Sequence, residues 1–131
     1  MTAESSELYR EGLRLFNEED FFECHEVLEE LWSETRGDEK KFLQGLIQAA
    51  VALFHFGNEN FGGAKKLYVA AREKLEPFGD EYMGIALSRF LNDFQTCFQE
   101  LLDNAEGYPT TVFLKDELVP KIHDSEQGPM E

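Results

Sequence analysis

The chain repeats itself at an offset of forty residues, and this constrains its fold more than any single motif. Gly12-x2-Leu15-x4-Asp20-Phe21-x2-Cys24-x3-Leu28-x2-Leu31 aligns with Ala52-x2-His55-x4-Asn60-Phe61-x2-Ala64-x3-Tyr68-x2-Ala71. The order in both copies is small, bulky, turn-forming, aromatic, small, bulky. In two helices joined by a short turn, small residues at these positions let the axes approach closely, as in tetratricopeptide-like antiparallel hairpins. Unrelated hairpins that coincide in pattern are the alternative. Two such hairpins leave an open apolar end. A long fifth helix would cap it, with Met83, Leu87, Phe90, Leu91, Phe94, Cys97, Phe98 and Leu101 at i, i+3, i+4 spacing.

Caps and breakers place the boundaries of an all-α, compact bundle of about five helices. The first runs from about Ser5 to Asn17, with Ser5 or Ser6 as cap, and the second from near Asp20 to before Gly37. The third starts after Asp38 and stops at Gly57-Asn58. The fourth covers about Asn60 to Glu76, where Pro77 and Gly79 interrupt the chain, and the fifth covers about Glu81 to Asn104. Beyond Gly107 come Pro109, β-branched residues and a short helical turn near Lys115–Val119. No strand is predicted. The expected organisation is one helical domain over residues 1–123 and a disordered tail over 124–131.

At 131 residues the chain is long enough to bury a core without disulfide staples, and twelve phenylalanines supply it. Cys24 and Cys97 both sit among apolar neighbours, which predicts free buried thiols and a reducing cytoplasm. The start, Met-Thr-Ala-Glu-Ser-Ser-Glu, lacks a basic region followed by an apolar stretch, so no signal peptide is expected. The longest apolar stretch, Leu46 to Phe56, is interrupted by Gln48 and His55 and is too short to span a bilayer. Net charge is −15, with acids concentrated between Glu4 and Glu39. Such a surface repels phosphate backbones and argues against nucleic acid as a partner. A small basic cluster, Lys65, Lys66, Arg72 and Lys74, reads as a solvated helix face, with anion binding as the minor alternative.

Chemistry concentrates in the second and third helices. His25 and Glu29 lie four residues apart, slightly more than one turn, and Trp32 follows on the same side. In projection, Glu23, Glu26, Glu30 and Glu34 fall on the solvent side. Glu29 falls between Phe22 and His25, so it is expected to point into the apolar arc and to need a partner there. The third helix is apolar nearly all round, through Phe42, Leu43, Leu46, Ile47, Val51, Leu53 and Phe54, which predicts a central buried helix. Gln44, Gln48 and His55 form a narrow polar stripe on it, while Gly45, Ala49 and Ala52 form a small-residue ridge. Facing stripes would gather His25, Glu29, Gln44, Gln48 and His55 into one buried polar cluster walled by Trp32 and phenylalanines. Three readings compete. A divalent metal (zinc, manganese or iron) would take His25, Glu29 and His55 as ligands. Glu29 could instead orient His25 as a general base in a pocket binding a substrate or ligand. In the third reading the polar groups bond to one another and only fix helix register.

At these residues the chain resembles domain-of-unknown-function family 309, small all-helical proteins of bacteria and archaea. The hallmark His-x3-Glu-x2-(Trp/Tyr) is present as His25, Glu29 and Trp32. Asn17 through Phe22, Gln44-Gly45-Leu46-Ile47-Gln48, His55, and Gly57-Asn58 to Gly63-Ala64 also fit, so the resemblance covers roughly residues 8–75. It implies an all-α fold and a metal-binding role for the motif, without an established activity. The expectation is a divalent metal at His25, Glu29 and His55, or a small polar ligand held by Gln44, Gln48 and Trp32. The rival is an interaction scaffold whose acidic face, with Glu23, Glu26 and Glu30, engages a basic protein partner. A hydrolase using metal-activated water is a third, less favoured reading.

Overall fold

Thr2 starts the first helix. Its backbone is extended and its hydroxyl accepts from the Ser5 amide at 3.0 Å, so the cap is Thr2 rather than the expected Ser5 or Ser6. The computed structural model describes residues 2–104 and 112–125. These form α1 (Ala3–Asn17), α2 (Phe21–Glu34), α3 (Gly37–Gly57), α4 (Phe61–Leu75) and α5 (Leu87–Asp103), with short 3-10 turns at Glu76–Phe78 and Asp116–Leu118. Each of the first four helices packs on the next, the α3–α4 pair most extensively. The α3 helix is the central one: Phe42, Leu43, Leu46, Ala49, Ala50, Ala52 and Leu53 are fully buried.

The forty-residue offset survives down to individual hydrogen bonds. At the α1–α2 corner the Glu19 amide donates to Phe16 O at 2.9 Å and the Asp20 amide to Leu15 O at 2.9 Å. At the α3–α4 corner the Glu59 amide donates to Phe56 O at 3.0 Å and the Asn60 amide to His55 O at 2.8 Å. Both pairs are the Schellman pattern, and its left-handed residue is Glu19 (φ 65°) in one copy and Glu59 (φ 62°) in the other. The aromatic residues that precede the corners also correspond. Phe16 meets Phe21 edge-on at 5.2 Å and Phe90 at 5.6 Å, while Phe56 meets Phe61 at 6.3 Å and Phe98 at 5.0 Å. Each hairpin therefore grips α5 through the same ring position. Phe94 lies between the two grips and touches Phe90, Phe98 and Tyr68.

The start of α5 departs from the expectation. Residues 81–86 form a small antiparallel hairpin, with β1 (Glu81–Tyr82) paired to β2 (Ile85–Ala86). Its two turn residues, Met83 (φ 48°) and Gly84 (φ 79°), both adopt the left-handed conformation that a two-residue hairpin turn requires. Met83 fits the helical period by spacing alone, and the positive φ pair overrides it. The helix begins at Leu87, whose amide donates to Asp80 O at 2.8 Å.

Residues 112–125 strap this framework together. Leu114 lies against Gly57 at the second corner. At the first corner the Asn17 side-chain amide donates to Ile122 O at 2.9 Å, and its oxygen accepts from the Ile122 amide at 2.7 Å. The segment expected to fray begins with two placed residues, since Asp124 bridges Ile85 and the Ser125 amide donates to Gly84 O. The remainder, 126–131, and the Gly107–Pro109 stretch lie outside the described residues. Among the described residues no helix is long and apolar enough to cross a membrane.

Candidate functional site

The α2 helix sits at the outside of the bundle, between α1 and α3, and buries only Phe21, Cys24, Leu28 and Leu31. His25, Glu29 and Phe22 lie at the edge of that buried face. The His25 ring donates from Nδ1 to Phe22 O at 2.6 Å, which turns Nε2 towards Glu29 Oε1 at 3.9 Å. That separation is too long for a hydrogen bond. The Glu29 side chain is 57% exposed and that of His25 21%. The expectation that Glu29 points into the apolar arc is therefore corrected. The projected arc is wider than the face α2 buries, and the carboxylate at its margin reaches water. Phe22 is likewise exposed, and it contacts Phe54, which had been assigned to the core and is also exposed.

His55 serves the α3–α4 corner. Its Nδ1 accepts from the Asn60 side-chain nitrogen at 3.2 Å, and Asn60 Oδ1 caps α4 by accepting from the Gly63 amide. A Cβ at position 63 would press on Asn60 and on the His55 ring, which explains why glycine stands there. The structure does not gather His55 with His25 and Glu29. Among the described residues no three His, Cys, Asp or Glu side chains form a group that could hold a metal ion. His25 and Glu29 alone supply two donors, one fewer than protein zinc sites normally use.

Trp32, Gln44, Gln48 and Glu29 do come together. They line a partly open cavity of about 280 Å³ between α2, α3 and α4, whose remaining walls are Ile47, Val51 and Leu67. Trp32 Nε1 and Gln48 Oε1 are both buried, and neither has a hydrogen-bond partner among the described residues. Leaving such a group unpaired costs about 1–3 kcal/mol. The Lys40 ammonium lies 4.1 Å from the centroid of the indole, a cation–π contact. Sequence reasoning found the tryptophan and the glutamines. It missed Leu67, which comes from α4.

Other ionisable groups are committed elsewhere. Arg72 pairs with Glu76 at 2.6 Å and donates to Leu91 O. Lys74 lines a larger charged groove with Asp38, Lys41, Glu73 and Phe78. Cys24 and Cys97 are free and buried, and burial pushes both thiols up to about 12. Neither serves as a ready nucleophile.

Residues 9–67 match the family model described as a domain of unknown function, DUF309. Over 102 residues the chain is 35% identical to the uncharacterised protein YpuF of Bacillus subtilis (strain 168), an alignment covering 75% of this chain and 58% of that protein. It is 31% identical over 102 residues to an uncharacterised protein of Aquifex aeolicus (strain VF5), covering 77% of this chain and 29% of the relative. The chain thus spans less than two thirds of either relative.

Proposed function

We propose, for a chain whose residues 9–67 belong to the DUF309 family, that the cavity beside Trp32 binds a small molecule. All seven residues around that cavity fall inside the matched segment. The observation that carries the reading is the make-up of the cavity: the Trp32 indole and three aliphatic side chains form its walls, with Glu29, Gln44 and Gln48 as its polar residues. Ligand pockets are concave, lined mainly by apolar and aromatic side chains, with a few polar groups that fix orientation.

The chain has one tryptophan, so its emission reports on this cavity alone. A panel of uncharged one- and two-ring compounds should include members that shift Trp32 emission and raise the melting temperature together. A Val51→Phe variant, which fills the cavity, should abolish both responses while remaining folded. If no member of the panel changes either signal at millimolar concentration, the reading fails.

A metal reading has one observation in its favour. His25 donates from Nδ1 to a backbone carbonyl, the arrangement that orients a metal-ligating imidazole, and this leaves Nε2 facing Glu29. Under this reading the two residues hold a divalent ion whose other positions are open. Added zinc or manganese should then raise the melting temperature of the native chain but not of His25→Ala. An equal response from both proteins removes His25 from any metal site. The scaffold reading draws support from the exposed Phe22 and Phe54 beside an acidic helix face, which suits a basic partner with an apolar anchor.

A further inference from the structure

The cavity beside Trp32 continues into the exposed aromatic pair. Glu29 lines the cavity, and its carboxylate stands 3.9 Å from the His25 ring nitrogen. The His25 ring meets Phe22 edge-on at 5.0 Å, and Phe22 meets Phe54 at 5.7 Å. Phe54 lies one turn beyond Val51 of the cavity wall. Phe22 and Phe54 are 50% and 36% exposed, so their contact is open to solvent. Along α2, Trp32, Glu29, His25 and Phe22 follow one another by a turn each. Along the neighbouring α3, Gln44, Gln48, Val51 and Phe54 do the same. Each row covers about 15 Å of helix. The seam between α2 and α3 therefore carries one strip, with a pocket at its Trp32 end, walled also by Leu67 of α4, and two exposed rings at its other end.

Charge decides which occupant fits. The α2 helix carries five glutamates, all exposed, and no lysine or arginine. Glu26 lies about 40° round the helix from Phe22 and Glu23 about 100°. Lys40 stands on the Trp32 ring, so the partner's basic residues belong towards the Phe22 end. A second copy of this chain, at a net charge of −15, would bring the same glutamates against these. An anionic lipid surface meets the same repulsion. A polypeptide with apolar anchors flanked by lysine or arginine does not. Its backbone is constrained as well. The strip is built on helices and offers no sheet edge, so an extended segment would lay unpaired N–H and C=O groups over apolar side chains. A helix satisfies those groups internally, and its side chains at i, i+3 or i+4, and i+7 repeat at the spacing of the two rows. We infer that the α2–α3 seam docks a basic amphipathic helix of a partner protein. One bulky apolar side chain sits in the cavity beside Trp32, a second anchor rests on Phe22 and Phe54, and lysine or arginine faces Glu23 and Glu26. The cavity, at about 280 Å³, has room for that side chain, since about 150 Å³ accommodates a benzene ring. The inference rests on the scaffold reading above and gives it a surface and a partner chemistry.

The test selects phage-displayed peptides of about fifteen randomised residues, long enough as a helix to cover the strip, on the native chain at physiological salt. Enriched sequences should carry a net positive charge and apolar residues at i, i+3 or i+4, and i+7. The best of them, synthesised, should gain helical circular dichroism on binding. Its affinity should fall about tenfold or more in Phe22→Ser/Phe54→Ser, which changes only exposed side chains, and in Val51→Phe, which fills the pocket. Glu23→Gln/Glu26→Gln should weaken it several-fold and flatten its salt dependence. A peptide that needs the glutamates but binds Phe22→Ser/Phe54→Ser or Val51→Phe as it binds the native chain overturns the seam and leaves a scaffold with another surface. Enriched sequences that are acidic or uncharged, or no enrichment at all, overturn this inference and the scaffold reading together. A native chain that dimerises at high micromolar concentration in sedimentation, and loses the dimer in Phe22→Ser/Phe54→Ser, gives the seam to a second copy and overturns the partner. The small-molecule reading stands or falls separately, because its panel responds to Val51→Phe and not to Phe22→Ser/Phe54→Ser.

Discussion

Gln48 and Asn17 are side-chain amides with opposite fates. The Asn17 amide is used twice on the Ile122 backbone, whereas Gln48 keeps a buried oxygen without a partner among the described residues. Replacing Gln48 by methionine removes that oxygen at nearly constant volume. The variant should be more stable than the native chain by about 1 kcal/mol, read from the denaturant midpoint, and a loss of stability would mean that the oxygen is already satisfied. Asn17→Ala should cost about 1–3 kcal/mol, because two hydrogen bonds to the strap disappear at once. The cysteines set a pH dependence. Burial raises both thiols to about 12, so the folded chain keeps protons that the unfolded chain releases above its ordinary thiol value of about 8.5. The stabilisation is complete below that value and is lost as pH rises towards 12. Unfolding midpoints should fall from pH 9 upward, and more gently in a Cys24→Ala, Cys97→Ala variant.

At the level of elements, each corner places a glutamate in the left-handed region, where a side chain costs roughly 1–2 kcal/mol. Glycine there would relieve the strain and return part of the gain as unfolded-chain entropy. Glu59→Gly should therefore stabilise the protein by about 0.5–1 kcal/mol in thermal unfolding. The same change at Glu19 should give less, since Glu19 also pairs with Lys121 at 3.4 Å. The helices and their pairing were legible because small residues, turn residues and aromatics recur at one offset. The hairpin at 81–86 was not, since Met83 satisfies a helical spacing while its backbone obeys the turn. Glu29 was misread for a related reason. A projection ranks directions around one helix, and only the neighbours of that helix decide how much of the arc they cover. His55 showed the polar stripe correctly but not its use, because its partner Asn60 lies around the corner rather than across the bundle.

Across the whole molecule the cavity is a product of three helices, and no local pattern announces it. Trp32 and Gln48 stood out as polar groups on apolar arcs, yet Leu67 completes the wall only once α4 has folded back on α3. The bundle itself is built from helices that are neighbours in sequence. The strap is different, because Asn17 meets Ile122 across 105 residues. Closing so long a loop is slow compared with pairing adjacent helices, and few contacts repay it. Amide protons of Ile122 and Ala86, which the strap protects, should exchange with a smaller opening free energy than those of Leu46 or Leu53 in α3. Equal protection at all four positions would make the strap part of the same cooperative unit. Two corners of identical design thus share one latch, and the protein acquires a clock: the bundle can persist intact while its latch lifts and settles many times.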